Sequence, residues 1–322
     1  MISSSIWHEA AQTSTIHKKS LSAGPGQVLV KARSSLVSSG TERLVARGQV
    51  PKSLWDEMAV PYQQGNFGFP IKYGYSLVGE IAQDKHPHKG QLVHLLHPHQ
   101  DLLYAKESDL YWVPSGIPAS RASLASNLET ALNAVWDAQV MPGDRVLVVG
   151  FGLIGSLVAR LLSLMPATEL RVVELDVDRQ AMAREMGFDV STSLLQNEQE
   201  SFDCAFHSSV SSAGLQSAID AVGREGKVVE LSWYGEKNIN LNLGGRFHSQ
   251  RKRIISSQVS RLPETHQARW DFSRRKEVVF RLLANPLFDQ HLGKEIPFPQ
   301  APDLFDQLRK NEARALSYWI SY

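Results

Sequence analysis

The stretch Arg145-Val-Leu-Val-Val-Gly150-Phe-Gly152-Leu-Ile-Gly155 decides the fold. An apolar run typical of a β-strand ends in three glycines and passes directly into a helical pattern from Ser156 to Leu164. Gly150 permits a tight turn, Gly152 lets backbone approach a pyrophosphate, and Gly155 lets the helix pack on its strand. The free N–H groups at the helix start suit phosphate oxygens. The stretch therefore predicts a dinucleotide-binding site.

Length and composition suit a globular protein of two domains. The chain has 322 residues, 43% of them hydrophobic and 21% charged, which is ordinary for packed domains of roughly 150 residues each. The net charge of +1 gives no bulk attraction to nucleic acid or anionic lipid. No apolar run approaches the ~20 residues of a membrane span, and an export signal is lacking at Met1. We expect a cytoplasmic protein without nucleic-acid or membrane partners.

Strand and helix patterns alternate after Pro118, where the composition shifts. We predict strands at 145–149, 170–175, 202–206 and 227–231, separated by helices at 154–164, 179–186 and 213–222. Such alternation indicates a parallel sheet with helices on both faces, as in a doubly wound Rossmann sheet. Arg253 to Val259 adds one more strand. We place this dinucleotide-binding domain at 119–262.

The preceding part of the chain consists of short β-type runs broken by Gly, Pro and Ser. Examples are Gln27 to Ala32, Leu77 to Ala82 and Gln91 to Leu96. This pattern predicts a small all-β barrel or sandwich, interrupted between Pro51 and Asn66 by residues at helical spacing. We place a catalytic β-barrel domain at 1–118, completed by 263–322, which makes the fold class α/β.

The second strand of a dinucleotide fold is followed by a carboxylate for the adenosine ribose hydroxyls. Asp176 lies about 20 residues past the last glycine, as expected, although Glu174 and Asp178 compete for the role. An acidic residue repels a 2′-phosphate, so NAD is favoured, and Arg179 keeps NADP as the less favoured alternative. Later strand ends contribute Ser208, Ser232 and Trp233. The expected cofactor contacts are Gly150, Gly152, Leu153, Ile154, Gly155, Asp176, Ser208, Ser232 and Trp233.

Further motifs occur in a consistent order along essentially the whole chain. They are Ser39-Gly-Thr-Glu42, Pro70-Ile-Lys-Tyr-Gly74-Tyr75-Ser76, Leu128-Glu129-Thr-Ala-Leu-Asn-Ala134, Pro142-Gly-Asp-Arg-Val146 and the glycine turn. Together they resemble the medium-chain dehydrogenase/reductase superfamily. The resemblance implies a chaperonin-10-like barrel for the first domain and an active site between the domains. It also implies a homodimer through the edge strand at Arg253 to Val259.

The chain departs from the zinc-dependent members of that superfamily. They place a cysteine where this chain has Ser39, and a His-Glu pair where it has Tyr75 and Ser76. Only Glu129 matches a ligand, and the four-cysteine lobe of a structural zinc is missing. Zinc takes three protein ligands drawn mainly from thiolate, imidazole and carboxylate groups. We therefore expect no zinc, and no other metal.

Without zinc, hydrogen-bond donors must stabilise the charge that develops on the substrate oxygen. Thr41 matches the proton-relay hydroxyl of the superfamily, and Tyr75 replaces a zinc-binding imidazole with a phenol that can donate a proton. Glu129 is the candidate base or hydrogen-bond acceptor. The competing interpretation of Tyr75 is an aromatic side chain that fills the space of the metal.

Three histidines remain open as further acid/base groups. His97 and His99 occupy the place of the missing lobe, where a structural hydrogen-bonding role is the alternative. His248 lies in a basic loop that could meet an anionic substrate or cofactor phosphates, or simply be solvated.

The function that these residues favour is an NAD-linked, zinc-independent interconversion of a secondary alcohol and a ketone. A weaker resemblance of Ser39 to Leu44 and of the Gly74-Tyr75 pair to bacteriochlorophyllide dehydrogenases agrees with a secondary alcohol. The alternatives are an enoyl reductase acting on activated C=C bonds, and a dinucleotide-binding protein that has lost catalysis. In each enzymatic case the partner is a small-molecule substrate.

Overall fold

The computed structural model describes every residue from Met1 to Tyr322. Its strands are β1 Ile2–Ala10, β2 Thr13–Ser20, β3 Gln27–Val37, β4 Gln64–Gly65, β5 Ile71–Lys72, β6 Leu77–Ile81, β7 Leu92–Leu95, β8 Leu102–Lys106, β9 Tyr111–Trp112, β10 Arg145–Val149, β11 Glu169–Val173, β12 Val190–Ser191, β13 Phe202–His207, β14 Val222–Glu230, β15 Arg253–Ser256, β16 Lys294–Pro297 and β17 Tyr318–Ser321. Its α-helices are α1 Ser39–Ala46, α2 Ala119–Ala122, α3 Ala125–Ala138, α4 Leu153–Ser163, α5 Val177–Glu185, α6 Ser212–Ala221, α7 Arg246–Ser249, α8 Glu264–Gln267, α9 Phe272–Leu283 and α10 Ala301–Lys310. No helix is both long and apolar enough to cross a lipid bilayer.

The chain forms two compact units. The first comprises Met1–Ser126 and Lys276–Tyr322, and the second comprises Asn127–Arg275. The sequence places the corresponding borders at 118/119 and 262/263. Both observed borders fall inside a helix, α3 and α9 respectively. A proline such as Pro118 marks where a helix can begin, whereas the border depends on which side chains the helix contacts further along.

The first unit is built on two sheets. One has the order β2-β1-β5-β4, and the other has the order β16-β17-β3-β6-β7-β9, with β8 also paired to β3. The long strand β3 pairs antiparallel with β6, β8 and β17, so it organises the unit. Apolar side chains of β3, β6, β7 and β8 form one core, and a second core lies around α10 and β17. The β-rich character expected for this part of the chain is confirmed.

The second unit contains a six-stranded sheet of order β12-β11-β10-β13-β14-β15 in which every pairing is parallel. The chain runs outward from β10 to β12 and then outward in the other direction from β13 to β15. Because such crossovers are right-handed, α4 and α5 lie on one face and α6 on the other. The strand order reverses between β10 and β13, which is where ligands bind in this kind of sheet. The predicted doubly wound sheet is confirmed.

Two helical expectations differ from the structure. The alanine- and leucine-rich run from Ala119 to Gln139 has apolar residues at helical spacing, which predict one helix, but α2 ends at Ala122 and α3 begins at Ala125. The helical spacing after Pro51 yields only the 3-10 turn Lys52–Leu54. One further turn follows, in which Met58 N–H donates to the Leu54 carbonyl at 2.9 Å, and Pro61 then disfavours the helical conformation at Val60.

Candidate active site

The glycine turn after β10 has the geometry that its sequence predicts. Gly150 has φ of +98°, a conformation that glycine adopts readily. A Cβ atom on Gly155 would collide with the carbonyl oxygen of Gly150, so α4 begins in close contact with the turn. A Cβ atom on Gly152 would meet nothing nearer than the Arg179 Nη1 at 3.9 Å. The space above Gly152 is therefore open to a ligand.

The first turn of α4 presents free backbone donors beside that space. The helical hydrogen bonds begin where Ser156 N–H donates to the Gly152 carbonyl, at 2.8 Å. The N–H groups of Leu153, Ile154 and Gly155 therefore point out of the helix end, where they suit anionic oxygens. Ser208 supports the turn from the next strand, since its hydroxyl donates to the Gly150 carbonyl at 3.1 Å.

Two carboxylates follow β11, and they have different surroundings. The buried Glu174 accepts hydrogen bonds from the N–H groups of Phe151, at 2.6 Å, and Leu175, at 2.7 Å, so it ties the glycine turn to the end of β11. Asp176 is the N-cap of α5, and both N–H groups that it caps donate to its Oδ1 atom. Neither of these hydrogen bonds uses the Oδ2 atom of Asp176. Arg179 Nη1 lies 4.0 Å from Glu174 Oε2.

The carboxyl ends of β13 and β14 carry a polar cluster. His207 Nδ1 lies 2.8 Å from Glu230 Oε2, and His207 Nε2 lies 2.7 Å from Ser209 Oγ. Ser232 N–H donates to Glu230 at 2.6 Å, while Ser232 Oγ accepts from Val210 N–H. Burial alone would raise the pKa of Glu230, but hydrogen bonds from His207 and Ser232 hold that pKa below its ordinary value. The sequence predicted His207 and Ser232 at these strand ends but did not reveal Glu230 as their partner.

The aromatic residues after β14 do not share one role. Tyr234 donates its hydroxyl proton to Glu230 Oε2 at 3.2 Å, and burial together with the Glu230 charge raises the pKa of its phenol. Trp233 is half-buried beside it. Trp233 as a nicotinamide contact stays a prediction.

In the first unit, Thr41 and Tyr75 come together. The Tyr75 phenol lies beside the hydroxyls of Ser38 and Thr41 at the start of α1, although the segment before β6 lies apart from α1 in sequence. Burial, together with the charge of Glu42, raises the pKa of Tyr75 to about 12 against the opposing effect of those two hydroxyls. Tyr75 therefore carries its proton at neutral pH and can donate it in a hydrogen bond.

A buried pair of hydrogen-bonded side chains, Glu42 and His99, holds the start of α1 behind these hydroxyls. Glu42 accepts from Ser38 N–H at 2.8 Å through Oε1, and its Oε2 lies 2.8 Å from His99 Nε2. His99 Nδ1 lies 2.7 Å from Ser35 Oγ, which also bonds the Tyr322 hydroxyl at 2.7 Å. Both side chains of the pair are 1% exposed. His99 thus fixes Glu42, and Glu42 fixes the helix that carries Thr41.

The residues at the zinc positions do not fit a zinc ion. Ser76 is already engaged, because its hydroxyl donates to the Ser123 carbonyl at 2.6 Å and lies 3.1 Å from His94 Nε2. Ser39 and Tyr75 offer only hydroxyl oxygens, which are poor ligands beside thiolate, imidazole and carboxylate. No group of three or more His, Cys, Asp or Glu side chains is arranged to hold a metal.

Glu129 lies on α3 in the second unit and has a partner that the sequence did not reveal. Arg275 Nε donates to Glu129 Oε1 at 3.2 Å, and Arg275 Nη1 donates to Asn133 Oδ1 and to the Val259 carbonyl, each at 2.8 Å. Arg275 therefore engages one of the two carboxylate oxygens of Glu129. Its role as a hydrogen-bond acceptor for substrate stays a prediction.

The other two candidate histidines have unlike surroundings. His97 is buried, its Nδ1 lies 2.8 Å from the Pro98 carbonyl oxygen, and its ring packs on Tyr62 with 5.0 Å between centroids. His248 is exposed on the short helix α7 in the second unit. Neither histidine forms a hydrogen bond or a ring contact with the predicted site residues of its own unit.

Comparisons with known proteins agree with this fold. No protein-family model matches the chain. The D-guloside 3-dehydrogenase of Shigella flexneri is 24% identical over 207 residues, a match that covers 61% of this chain and 59% of the relative. The chain thus spans about three fifths of the length of that curated relative.

Two solved structures match over essentially the full length. A Sinorhizobium meliloti protein described as a zinc-binding dehydrogenase, bound to NADP, has a TM-score of 0.79 at 14% identity, with 100% of both chains covered. Acetophenone reductase of Geotrichum candidum, in complex with NAD, has a TM-score of 0.79 at 17% identity, with 100% of this chain and 97% of that chain covered. The chain therefore has the fold of medium-chain dehydrogenases and reductases, with a chaperonin-10-like unit and a Rossmann unit, as predicted.

Proposed function

We propose that this chain is a zinc-independent, NAD(H)-linked oxidoreductase that interconverts a secondary alcohol and a ketone by hydride transfer. The observation that carries the proposal is the placement of the Tyr75 phenol beside the hydroxyls of Thr41 and Ser38, at the motif where zinc-dependent relatives place a metal ligand. The second supporting observation is the glycine turn of this dehydrogenase fold, whose open space at Gly152 can receive a cofactor.

NAD, when bound, supplies the hydride acceptor, and the protein supplies binding and polarity. The turn at Gly150 to Gly155 and the start of α4 would hold the pyrophosphate, and Asp176 Oδ2 would accept from a ribose hydroxyl. The protonated Tyr75 phenol donates a hydrogen bond to the substrate oxygen as negative charge develops there. When a ketone is reduced, the phenol gives its proton to the substrate oxygen and takes up another through Thr41; when an alcohol is oxidised, the alcohol proton passes to Tyr75 as the phenol proton leaves through Thr41.

We favour NAD over NADP on electrostatic grounds. Glu174 and Asp176 place two carboxylates after β11, and both would repel a 2′-phosphate. Arg179 is the cation that would favour NADP, but it lies 4.0 Å from Glu174 and is partly neutralised by it. We also propose a cytoplasmic location, which is the location expected from the sequence.

For the substrate we propose a secondary alcohol carried on a ring. The name of the Shigella relative specifies dehydrogenation at position 3 of a D-guloside, and position 3 of that sugar ring carries a secondary alcohol. The bacteriochlorophyllide dehydrogenases that the Ser39 to Leu44 motif resembles also act on a ring-borne alcohol.

Three measurements test the proposal. Protein purified without added zinc should contain far less than one zinc per chain, and near-stoichiometric zinc would overturn the metal-free mechanism. Titration should show tighter binding of NADH than of NADPH. A panel of glycosides, cyclic ketones and enones should give turnover on alcohols or ketones. Turnover on enones alone would identify an enoyl reductase, and tight NADH binding without any turnover would identify a protein that has lost catalysis.

The strongest single variant is Tyr75→Phe, which removes the donor hydroxyl and keeps the ring. We expect kcat to fall by about 10²- to 10⁴-fold, the usual range for a proton-transfer group, with the Kd for NADH unchanged. Tyr73→Phe is the matched control, because Tyr73 is a buried phenol in the same motif whose ring packs edge-on against Tyr75. Equal kcat in both variants would remove Tyr75 from the mechanism.

We further propose a homodimer through β15. This strand is the last in its sheet, is paired on one side only, and leaves Ile254 36% exposed. Unpaired edge strands favour pairing with another chain. Light scattering should report a dimer that Ile254→Asp converts to a monomer, whereas a wild-type monomer would contradict the proposal.

A further inference from the structure

The buried lysine Lys72 is a cationic group of the first unit that the proposed function leaves unused. It is the last residue of β5 and is 4% exposed. An ammonium group has three N–H donors, and one of them donates to Gln100 Oε1 at 2.8 Å, which is the only protein acceptor that Lys72 has. Lys72 forms no ion pair with a carboxylate. Buried charges in proteins are normally paired, so Lys72 is an exception.

The polar groups next to Lys72 are already engaged elsewhere. Gln100 Nε2 donates to Ser3 Oγ at 2.9 Å and to the Leu102 carbonyl at 2.7 Å, so only the amide oxygen of Gln100 faces Lys72. The carboxylate of the following residue, Asp101, accepts from a backbone N–H of β1 at 2.7 Å. These contacts leave the positive charge of Lys72 with one neutral acceptor.

A second lysine, Lys19, lies on the same face of the sheet as Lys72. β1 pairs with β5 at His8 and Ile71, and it pairs with β2 at Ser3 and Lys19. Side chains alternate between the two faces of a strand, and paired residues share a face. His8 and Ile71 lie on the buried face, so Ser3, Lys19 and Lys72 lie on the other. Because Lys19 is exposed, this face is reached from solvent.

Both lysines are positively charged at neutral pH. Burial and then the charge of Lys19 lower the pKa of Lys72 to about 8, so Lys72 still carries its proton at pH 7. The ring of His97 is close enough for the charge of Lys72 to act on it, and burial together with that charge lowers the pKa of His97 to about 3. His97 is therefore neutral. The face presents two positive charges, and the inner one has two N–H donors without a protein acceptor.

We propose that Lys72 and Lys19 form a binding site for a phosphate group. A phosphate monoester carries a charge of about −1.5 to −2 at neutral pH, which balances two ammonium groups, and its oxygens accept the two remaining N–H donors of Lys72. A carboxylate has a single charge and leaves one lysine without a counterion. The site belongs to the first unit, whereas the glycine turn belongs to the second.

Inorganic phosphate tests the site directly. At constant ionic strength, phosphate at about ten times its Kd should raise the Tm of the wild type by about 3–6 °C. Lys72→Met keeps the aliphatic stem and removes the ammonium group, and we expect calorimetry to show a Kd for phosphate at least about tenfold higher. Lys89→Met is the matched control, because Lys89 is an exposed lysine of the same unit that pairs with Asp84 at 2.6 Å. It should bind phosphate as the wild type does.

The variants also separate this site from the glycine turn. Phosphate that binds at the glycine turn would affect Lys72→Met and the wild type equally, so an equal Kd in these two proteins overturns the proposal. A wild type that does not respond to phosphate overturns it as well. Lys19→Met should raise the Kd by about 2- to 5-fold, as for one exposed charge, and an unchanged Kd would contradict a site made of two lysines. If Lys72→Met does not fold, Lys19→Met decides alone.

Two further ligands show what the site selects. Acetate should bind at least about tenfold more weakly than phosphate because it carries less charge, and equal binding would contradict a phosphate site. Glycerol 3-phosphate presents the same group as an ester. Tighter binding of the ester would support an organic phosphate as the ligand, and equal binding would support free phosphate. None of these measurements uses NADH or turnover, so this proposal and the proposed function can fail independently.

Discussion

The glycine turn and the Glu42–His99 pair are both rigid, but for opposite reasons. The turn carries no charge, and close backbone contacts between Gly150 and Gly155 shape it. The pair consists of two ionisable groups, 1% exposed, that hold each other at 2.8 Å. Substitutions that add atoms are expected to destabilise the glycine turn, and substitutions that remove atoms are expected to destabilise the Glu42–His99 pair. This difference predicts which kind of substitution each region fails to tolerate.

The largest effect on stability is expected from His99→Ala. It leaves Glu42 buried without its partner, and breaking a buried pair in this way costs about 3–5 kcal/mol in the free energy of unfolding. Arg33→Ala is the matched control, because Arg33 and Glu80 form a pair at 2.7 Å whose side chains are 43% and 24% exposed. An exposed pair contributes about 0–1 kcal/mol. If urea unfolding shows similar losses of unfolding free energy in His99→Ala and Arg33→Ala, the buried pair does not contribute more than the exposed pair and the prediction is wrong.

The glycine turn should respond to added atoms. In Gly155→Ala the new methyl group collides with the Gly150 carbonyl, and we expect a loss of about 1–3 kcal/mol in unfolding free energy. Gly152→Ala meets only open space, so its stability should stay within about 0.5 kcal/mol of wild type. The methyl group would nevertheless occupy the approach of the pyrophosphate and weaken NADH by about tenfold, or about 1.4 kcal/mol.

The relative order of those two glycine variants is the sharper test. If Gly152→Ala unfolds more easily than Gly155→Ala, the steric account of the turn is wrong. If Gly152→Ala binds NADH as tightly as wild type does, the open space above Gly152 does not receive the pyrophosphate.

The same contrast explains how much the sequence predicted. The turn lies within a few residues, and its steric demands require glycine at Gly150 and Gly155, so the pattern could be recognised directly. The alternation of strands and helices followed from hydrophobic periodicity, which is also local. The fold class could therefore be predicted before the structure was known.

The polar partners were hidden because they come from distant parts of the chain. His99 is 57 residues from Glu42, and Arg275 is 146 residues from Glu129. His207 and Glu230 lie closer, yet they end two separate strands. No local pattern predicts such pairs, since they exist only after the sheet brings strand ends together. Thr41 and Tyr75 were predicted through the superfamily resemblance, which carries such long-range information.

A further effect, which depends on pH, concerns His97, a buried histidine that has no carboxylate partner. Burial and the charge of Lys72 lower the pKa of His97 to about 3. Its folded-state pKa is below the unfolded value of about 6.5, so its contribution to stability is present above pH 6.5 and is lost as the pH falls toward 3. At pH 5 that loss is at most about 2 kcal/mol, since the unfolded chain takes up a proton that the folded chain does not.

His97→Asn tests this effect, because an amide can still donate to the Pro98 carbonyl but does not titrate. We expect the wild type to lose more unfolding free energy than the variant when urea unfolding is compared at pH 7.5 and pH 5. His8, whose pKa burial also lowers to about 3, remains in both proteins and cancels in the difference. Equal pH dependence in the two proteins would mean that His97 is protonated in the folded state. It would then need an anionic partner, as His99 has in Glu42.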